Sequence, residues 1–148
     1  MPSTGPIKPT DKAIKAYYLT LQEYSDQQVT HEGALETAFQ RLLDQTARPR
    51  RWFLVPKESI RIKGKHVIPD GTLRDEFNLH RGLWEAKDTD DDLEVEIKKK
   101  MAKGYPLTNT IFEDTRRAVL FQNGGRAMAV ELADRQALSV ALASSGRN

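Results

Sequence analysis

The chain has 148 residues and no cysteine, with 23 Lys+Arg against 21 Asp+Glu for a formal net charge of +2. That size suits one domain, and a composition 39% hydrophobic and 30% charged predicts a core that buries roughly two-thirds of the surface the unfolded chain exposes. Zero Cys excludes disulfides and thiolate chemistry, and three well-separated histidines (His31, His66, His80) leave little for a structural zinc site, so any metal is expected on oxygen ligands. No apolar run approaches the roughly 18 residues of a spanning helix, and the start Met-Pro-Ser-Thr-Gly-Pro lacks signal-peptide order. The expectation is a soluble, intracellular protein with no membrane partner.

Residues 1–10 hold three prolines and a glycine and read as a disordered leader; 11–148 read as a single domain. From Asp11 a helix is predicted, with Ile14, Tyr17, Tyr18, Leu21 and Tyr24 at helical spacing. A second helix follows Thr30 as N-cap, with Leu35, Ala38, Phe39, Leu42 and Leu43 on one face. After Pro49 the pattern changes to short aromatic and β-branched segments: Trp52 to Val55, Ser59 to Ile62, His66 to Leu73 and Gly82 to Lys87 read as strands. Asp91 is read as the cap of a third helix carrying Leu93, Ile97 and Met101, which Gly104 and Pro106 end. Thr110 to Phe112, Ala118 to Phe121 and Arg126 to Leu132 read as strands, the last two joined through Asn123-Gly124-Gly125, and a final helix begins at Asp134. The order predicts an α/β (α+β) domain with one central mixed β-sheet flanked by helices. The abrupt Ser-Ser-Gly-Arg-Asn end suggests excision from a longer multidomain chain.

The small net charge conceals two opposed blocks. Between Arg48 and Lys65 seven cations face one anion, and between Glu85 and Glu96 seven anions face one cation. Their plain reading is two solvated faces; the functional one is a phosphate-binding rim beside a cation pocket. The choice between them turns on motifs, and the informative ones are Pro69-Asp70-Gly71 and Trp84-Glu85-Ala86-Lys87-Asp88, although a Glu-x-Lys triplet alone also arises by chance in a charged sequence. On a strand Glu85 and Lys87 share a face, and pairing through 74–81 can set Asp70 opposite Glu85, bringing two carboxylates within reach of one hard cation beside an ammonium. That set suits Mg²⁺, with Mn²⁺ able to substitute. Asp70, Glu85 and the Ala86 carbonyl are the candidate metal ligands, and Lys87 would orient or deprotonate water and stabilise the charged phosphorane. By contrast, Asp88, Asp90 and Asp92 fail as a calcium loop, since Leu93 stands where Gly is needed and Lys99 where Glu is needed. Trp52 and Trp84 read as core.

Thr-His-Glu-Gly-Ala at 30–34, Pro-Asp-Gly-Thr at 69–72, Trp-Glu-Ala-Lys-Asp at 84–88, Asp-Asp-Leu-Glu at 91–94, Gly-Tyr-Pro at 104–106 and Ile-Phe-Glu-Asp at 111–114 make a longer string. Over roughly residues 12–140 it resembles the N-terminal nuclease domain of the single-polypeptide Type ISP restriction-modification enzymes, in the Mrr-like branch of the PD-(D/E)xK superfamily. The resemblance implies a restriction-endonuclease-like core whose acidic residue is Asp70 and whose (D/E)xK is Glu85 and Lys87. It also implies a further catalytic and metal-facing glutamate from the first core helix, for which Glu32, near the edge of the apolar face, is the first choice and Glu36 the second. The ordinary alternative for Glu32 is a charge favouring its helix N-terminus. Arg48, Arg50, Arg51, Lys63 and Lys65 are the candidate contacts to the backbone of double-stranded DNA, with Lys98, Lys99 and Lys100 behind them.

The function these readings imply is a Mg²⁺-dependent DNA endonuclease domain of a restriction-modification enzyme in the prokaryotic cytoplasm, with little sequence specificity of its own. A helicase-like ATPase, a methyltransferase and a target-recognition domain of the parent chain would activate and direct it. The rival is the same fold with a silent site, binding nucleic acid or a partner domain without cutting.

Overall fold

A computed structural model describes residues 7–88 and 92–146. Helices α1 (Lys12–Asp26) and α2 (Glu32–Ala47) lead into a short 3₁₀ turn, Arg48–Arg50. There follow β1 (Phe53–Pro56), β2 (Ile60–Ile62), β3 (Lys65–Val67), β4 (Gly71–Arg74), β5 (His80–Ala86), α3 (Leu93–Ala102), β6 (Asn109–Glu113), β7 (Arg117–Gln122), β8 (Gly125–Glu131) and α4 (Arg135–Ser145). Six strands form one sheet in the order β1-β4-β5-β6-β7-β8, while β2 and β3 pair separately. The β5–β6 ladder is parallel and the others antiparallel, so the sheet is mixed, as expected. Its one parallel step is the one that α3 bridges, in keeping with the longer crossover such a connection needs.

Period-two alternation divides the core between the two faces. Trp84, Ile111 and Leu120 face α1, α2 and α4, meeting Ile14, Tyr17, Phe39, Leu42, Leu138 and Leu142. Leu83, Phe112, Val119 and Phe121 face the other way, toward Ile60 of the hairpin, Leu93 and Ile97 of α3, and Tyr105. Burying each of the larger of these side chains contributes about 1.5–3 kcal/mol. Both helix layers were visible as 3.6-residue periodicity, although Met101, expected on the apolar stripe of α3 with Leu93 and Ile97, is 45% exposed. Ile7, within the stretch expected as leader, packs against the α1/α2 core, and Lys8 and Asp11 close a turn before α1. Among the described residues no helix is long and apolar enough to cross a membrane.

Three local expectations shift. The cap of α2 is His31, not Thr30: its Nδ1 accepts from the Ala34 amide at 3.2 Å. The cap of α3 is Asp92, which accepts from the Glu94 and Val95 amides; Asp91 lies outside the described residues. The single strand expected over 66–73 is two strands in different sheets, since Pro69 cannot donate to a ladder and the chain changes direction between β3 and β4. The turn at 123–125 is as expected: Asn123 and Gly124 both take positive φ, 54° and 86°, which matches the twist of a tight hairpin.

Glu113, at the end of β6, is 1% exposed. Its Oε2 accepts from the Thr115 amide at 2.6 Å, yet burial outweighs that bond and pushes its carboxyl up from 4.5 to about 8. The folded chain therefore holds a proton between those values that the unfolded chain has released, and stability falls as pH rises through that window. Glu113→Gln should melt like the wild type near pH 4.5 and become progressively more stable than it up to about pH 8, by on the order of 2 kcal/mol or more. Thermal melts at pH 4.5, 6, 7.5 and 9 check this; parallel curves for the two proteins would contradict it.

Candidate active site

The end pair of the β4–β5 ladder, Gly71 with Trp84, sets Asp70 beside Glu85 at one end of the sheet. Gly71 is needed there: a Cβ would stand 2.6 Å from Leu54 Cδ1 and 2.8 Å from the Trp84 ring. Asp70 Oδ2 accepts from the Ala86 amide at 2.8 Å, which ties the loop before β4 to the end of β5. Asp70 Oδ1 accepts from Lys57 Nζ, and the same ammonium lies 3.3 Å from Glu36 Oε1. These contacts with Asp70 above all hold the Lys57 ammonium in its charged form.

Glu85 is 3% exposed, on the α3 face of β5. Its Oε1 accepts from the Tyr105 hydroxyl; its Oε2 lies 3.9 Å from Lys87 Nζ and 3.8 Å from Lys100 Nζ. Burial raises the Glu85 carboxyl and the Asp70 charge raises it further, while Tyr105, Lys100 and Lys87 oppose this. The Tyr105 phenol is itself raised by burial and by Glu85. Lys87 is anchored through its amide, which donates to the Glu113 carbonyl at 2.7 Å, and its Nζ lies 3.9 Å from Glu96 Oε2.

Asp70, Glu85, Ala86 and Lys87 are thus brought together, and the oxygen donors among them fit a hard divalent cation. Asp70 repels Glu85 across the site, a repulsion that a bound cation would relieve. Among the described residues no cluster of three or more His, Cys, Asp or Glu is placed to hold a metal. Two carboxylates and a backbone carbonyl would leave the remaining positions to water and ligand, the usual manner of Mg²⁺. Glu32 opens α2, and its side chain lies outside what is described; Glu36, one turn on, faces Lys57 and through it Asp70.

The expected DNA contacts do not gather here. Arg50 is buried and donates to the Thr46 carbonyl at 2.7 Å, so it is a packing residue and not a DNA contact. Arg48 pairs with Asp44 at 2.9 Å and Arg51 with Glu76 at 3.3 Å. Both precede β1, at the end away from Asp70: a strand rise of about 3.3 Å per residue puts Phe53 about 10 Å from Pro56, and Arg51, left-handed at φ 61°, stands before that strand. Lys63 and Lys65 flank the β2–β3 turn, where Lys63 and Gly64 take positive φ. Lys63 lines a cleft of about 550 Å³ with Arg61, His80, Arg81 and Asn109, at the opposite end of β5 from Glu85. In that cleft His80 and Arg81 pair with Glu58 and Asp75, and the carboxylates of the site lie elsewhere.

The cations that do reach the carboxylates are Lys57, Lys87 and Lys100. Sequence reading missed Lys57 and Tyr105 as site residues. Lys57 stood in the basic block but nothing local tied it to Asp70. Tyr105 stood within the Gly-Tyr-Pro motif of 104–106, with no sign of its partner.

No protein-family model matches the chain, and no curated protein does. Among solved structures the chain is similar to one in the cryo-electron-microscopy structure of a DrdV–DNA complex, with a TM-score of 0.85 and 38% identity, covering 92% of this chain and 14% of that one. The chain therefore spans a small part of that protein's length. A DUF820 protein of Anabaena variabilis, named as a candidate nuclease, gives a TM-score of 0.47 at 8% identity, covering 69% of this chain and 78% of that one. The fold shared with the first is the mixed sheet flanked by helices.

Tyr105→Phe should leave Glu85 Oε1 buried without a donor, lowering stability by about 1–3 kcal/mol. Denaturant unfolding at neutral pH measures it, and an unchanged midpoint would mean that the hydroxyl bond contributes nothing.

Proposed function

We propose that this chain is the nuclease domain of a restriction-modification enzyme, a Mg²⁺-dependent DNA endonuclease of the Mrr-like, Type ISP kind. The observation that carries the reading is the convergence of Asp70, Glu85 and Lys87 at one end of the sheet, with Ala86 bonded to Asp70. The likeness to a chain of a DrdV–DNA complex supports DNA as the polymer bound.

In this reading Asp70, Glu85 and the Ala86 carbonyl hold the cation, with Glu36 or Glu32 behind them; when bound it supplies charge neutralisation and a more acidic water. Lys87 Nζ orients the attacking water and stabilises the charge that develops on the phosphorane. Burial keeps the Glu85 carboxylate out of bulk water, where its attraction for cations is less screened. In this reading each of these groups acts on the phosphate or the cation and not on a base edge, so cleavage would follow the phosphate backbone with little sequence preference. Specificity and activation belong to the helicase-like ATPase, methyltransferase and target-recognition domains of a parent chain. One such site cuts one strand, so a single copy nicks and a double-strand break takes two.

The test is incubation of supercoiled plasmid at low salt with wild type, Asp70→Ala and Lys87→Ala, under Mg²⁺, Mn²⁺ or chelator. Expected is metal-dependent nicking by the wild type that falls at least about 100-fold in each folded variant. Full activity in both variants would overturn the assignment, and metal-independent DNA binding with no nicking in any of them would favour a silent binding module.

A further inference from the structure

Glu85 Oε2 is shared by two ammonium groups from different elements, Lys87 at the end of β5 and Lys100 in the last turn of α3. The Lys100 side chain is 22% exposed, against 63% for Lys99 on the same helix. Drawing most of a lysine out of water is unfavourable unless a counter-charge or a task holds it there. The counter-charges differ between the three lysines. Lys87 has Glu96 Oε2 at 3.9 Å as a second carboxylate, and Lys99 has Glu96 Oε1 at 3.4 Å. Lys100 has only Glu85 among the described residues, and otherwise rests over the Tyr105 ring with Nζ 5.0 Å from its centroid. A ligand that takes Glu85 Oε2 therefore leaves Lys87 paired and Lys100 without an anion.

We infer that Lys100 is a further catalytic residue of this site, an ammonium that passes from Glu85 to the scissile phosphate when a divalent cation engages the carboxylates; the inference rests on the nuclease reading above. Tyr105 is the positioning residue for both groups. Its hydroxyl holds Oε1, so Oε2 stays forward, and its ring face supports the ammonium beside it without a carboxylate to capture it. The charges suit such an exchange: Asp70 and Glu85 would be neutralised by a bound cation, and a phosphodiester would supply the anion that Lys100 then lacks. Lys100 keeps its proton throughout. The bond made is from the water oxygen to phosphorus and the bond broken is from phosphorus to the leaving oxygen; the attacking water gives up its proton to solvent, the leaving oxygen takes one from solvent, and Lys100 is held against a non-bridging oxygen.

The experiment compares wild type, Lys100→Met, Lys100→Arg and the distant Lys15→Met as a charge control. Affinity for a short duplex is read by fluorescence anisotropy without cation and with Ca²⁺, which takes the same oxygen donors, beside thermal melts and Mg²⁺-driven plasmid nicking. Expected is a Ca²⁺-dependent gain in DNA affinity of at least fivefold in wild type and Lys15→Met, less than twofold in Lys100→Met, and largely restored in Lys100→Arg. Nicking by Lys100→Met should fall at least about 100-fold while its melt stays close to that of the wild type. If Lys100→Met melts far below wild type, Lys100→Gln replaces it. An equal gain in wild type and Lys100→Met, or no gain in wild type, overturns the inference. If the gain depends on Lys100 but wild type does not nick, the phosphate contact stands and it is the cleavage reading that fails; if both proteins nick equally, the reverse holds.

Discussion

The site depends on how closely β4 and β5 can approach at Gly71. Only a residue without a Cβ fits between Leu54 and the Trp84 ring, and that fit lets the ladder close at the Gly71–Trp84 pair, beyond which Asp70 stands beside Glu85. Trp84, buried against Phe39 of α2, then acts as the fixed floor of the pair. With the floor fixed, alternation along β5 sends Trp84 to the α1/α2 side and Glu85 to the α3 side. A larger residue at 71 would separate the strands at the place where two carboxylates must be held side by side, so core packing and site geometry are one constraint.

Gathering acidic groups at the end of a sheet raises an electrostatic problem, which the chain meets with lysines rather than arginines. Lys57 sits on Asp70 and Glu36, Lys87 on Glu85 and Glu96, Lys100 on Glu85. An ammonium is a compact point charge on a flexible stem, able to let go of one oxygen and take another, whereas a guanidinium fork locks onto a carboxylate. The arginines are used for locking instead: Arg117 and Arg126 both clamp Glu94 at the start of α3 and hold its carboxyl down at about 2. The same helix is thereby pinned at its first turn and presents an exchangeable cation, Lys100, from its last.

Much of this was legible in the sequence and part of it was not, for identifiable reasons. The helices and the sheet were readable because Leu35, Phe39 and Leu42 or Ile97 show a period that only one geometry satisfies. The closeness of Asp70 to Glu85 was legible because the two segments could pair across a short connection, and the shared face of Glu85 and Lys87 because side chains alternate along a strand. The DNA-contact set was read less well. Arg50 looks like its neighbours in the chain, yet it turns inward against Thr46, and Arg48 and Arg51 find partners in Asp44 and Glu76. Charge runs report composition, not which side chain a fold will bury. Lys57 and Tyr105 escaped because their roles arise from contacts 13 and 20 residues away, which no local pattern encodes.

The central claim is that Asp70 and Glu85 form one cation site. Calorimetric titration of Mn²⁺ into wild type, Asp70→Asn and Glu85→Gln, each bound to a duplex, tests it most directly. Expected is saturable binding in the wild type, weakened at least tenfold by either substitution, with the double variant little worse than the singles because both remove the same site. Binding of equal strength in all four proteins, or none in the wild type, would contradict it.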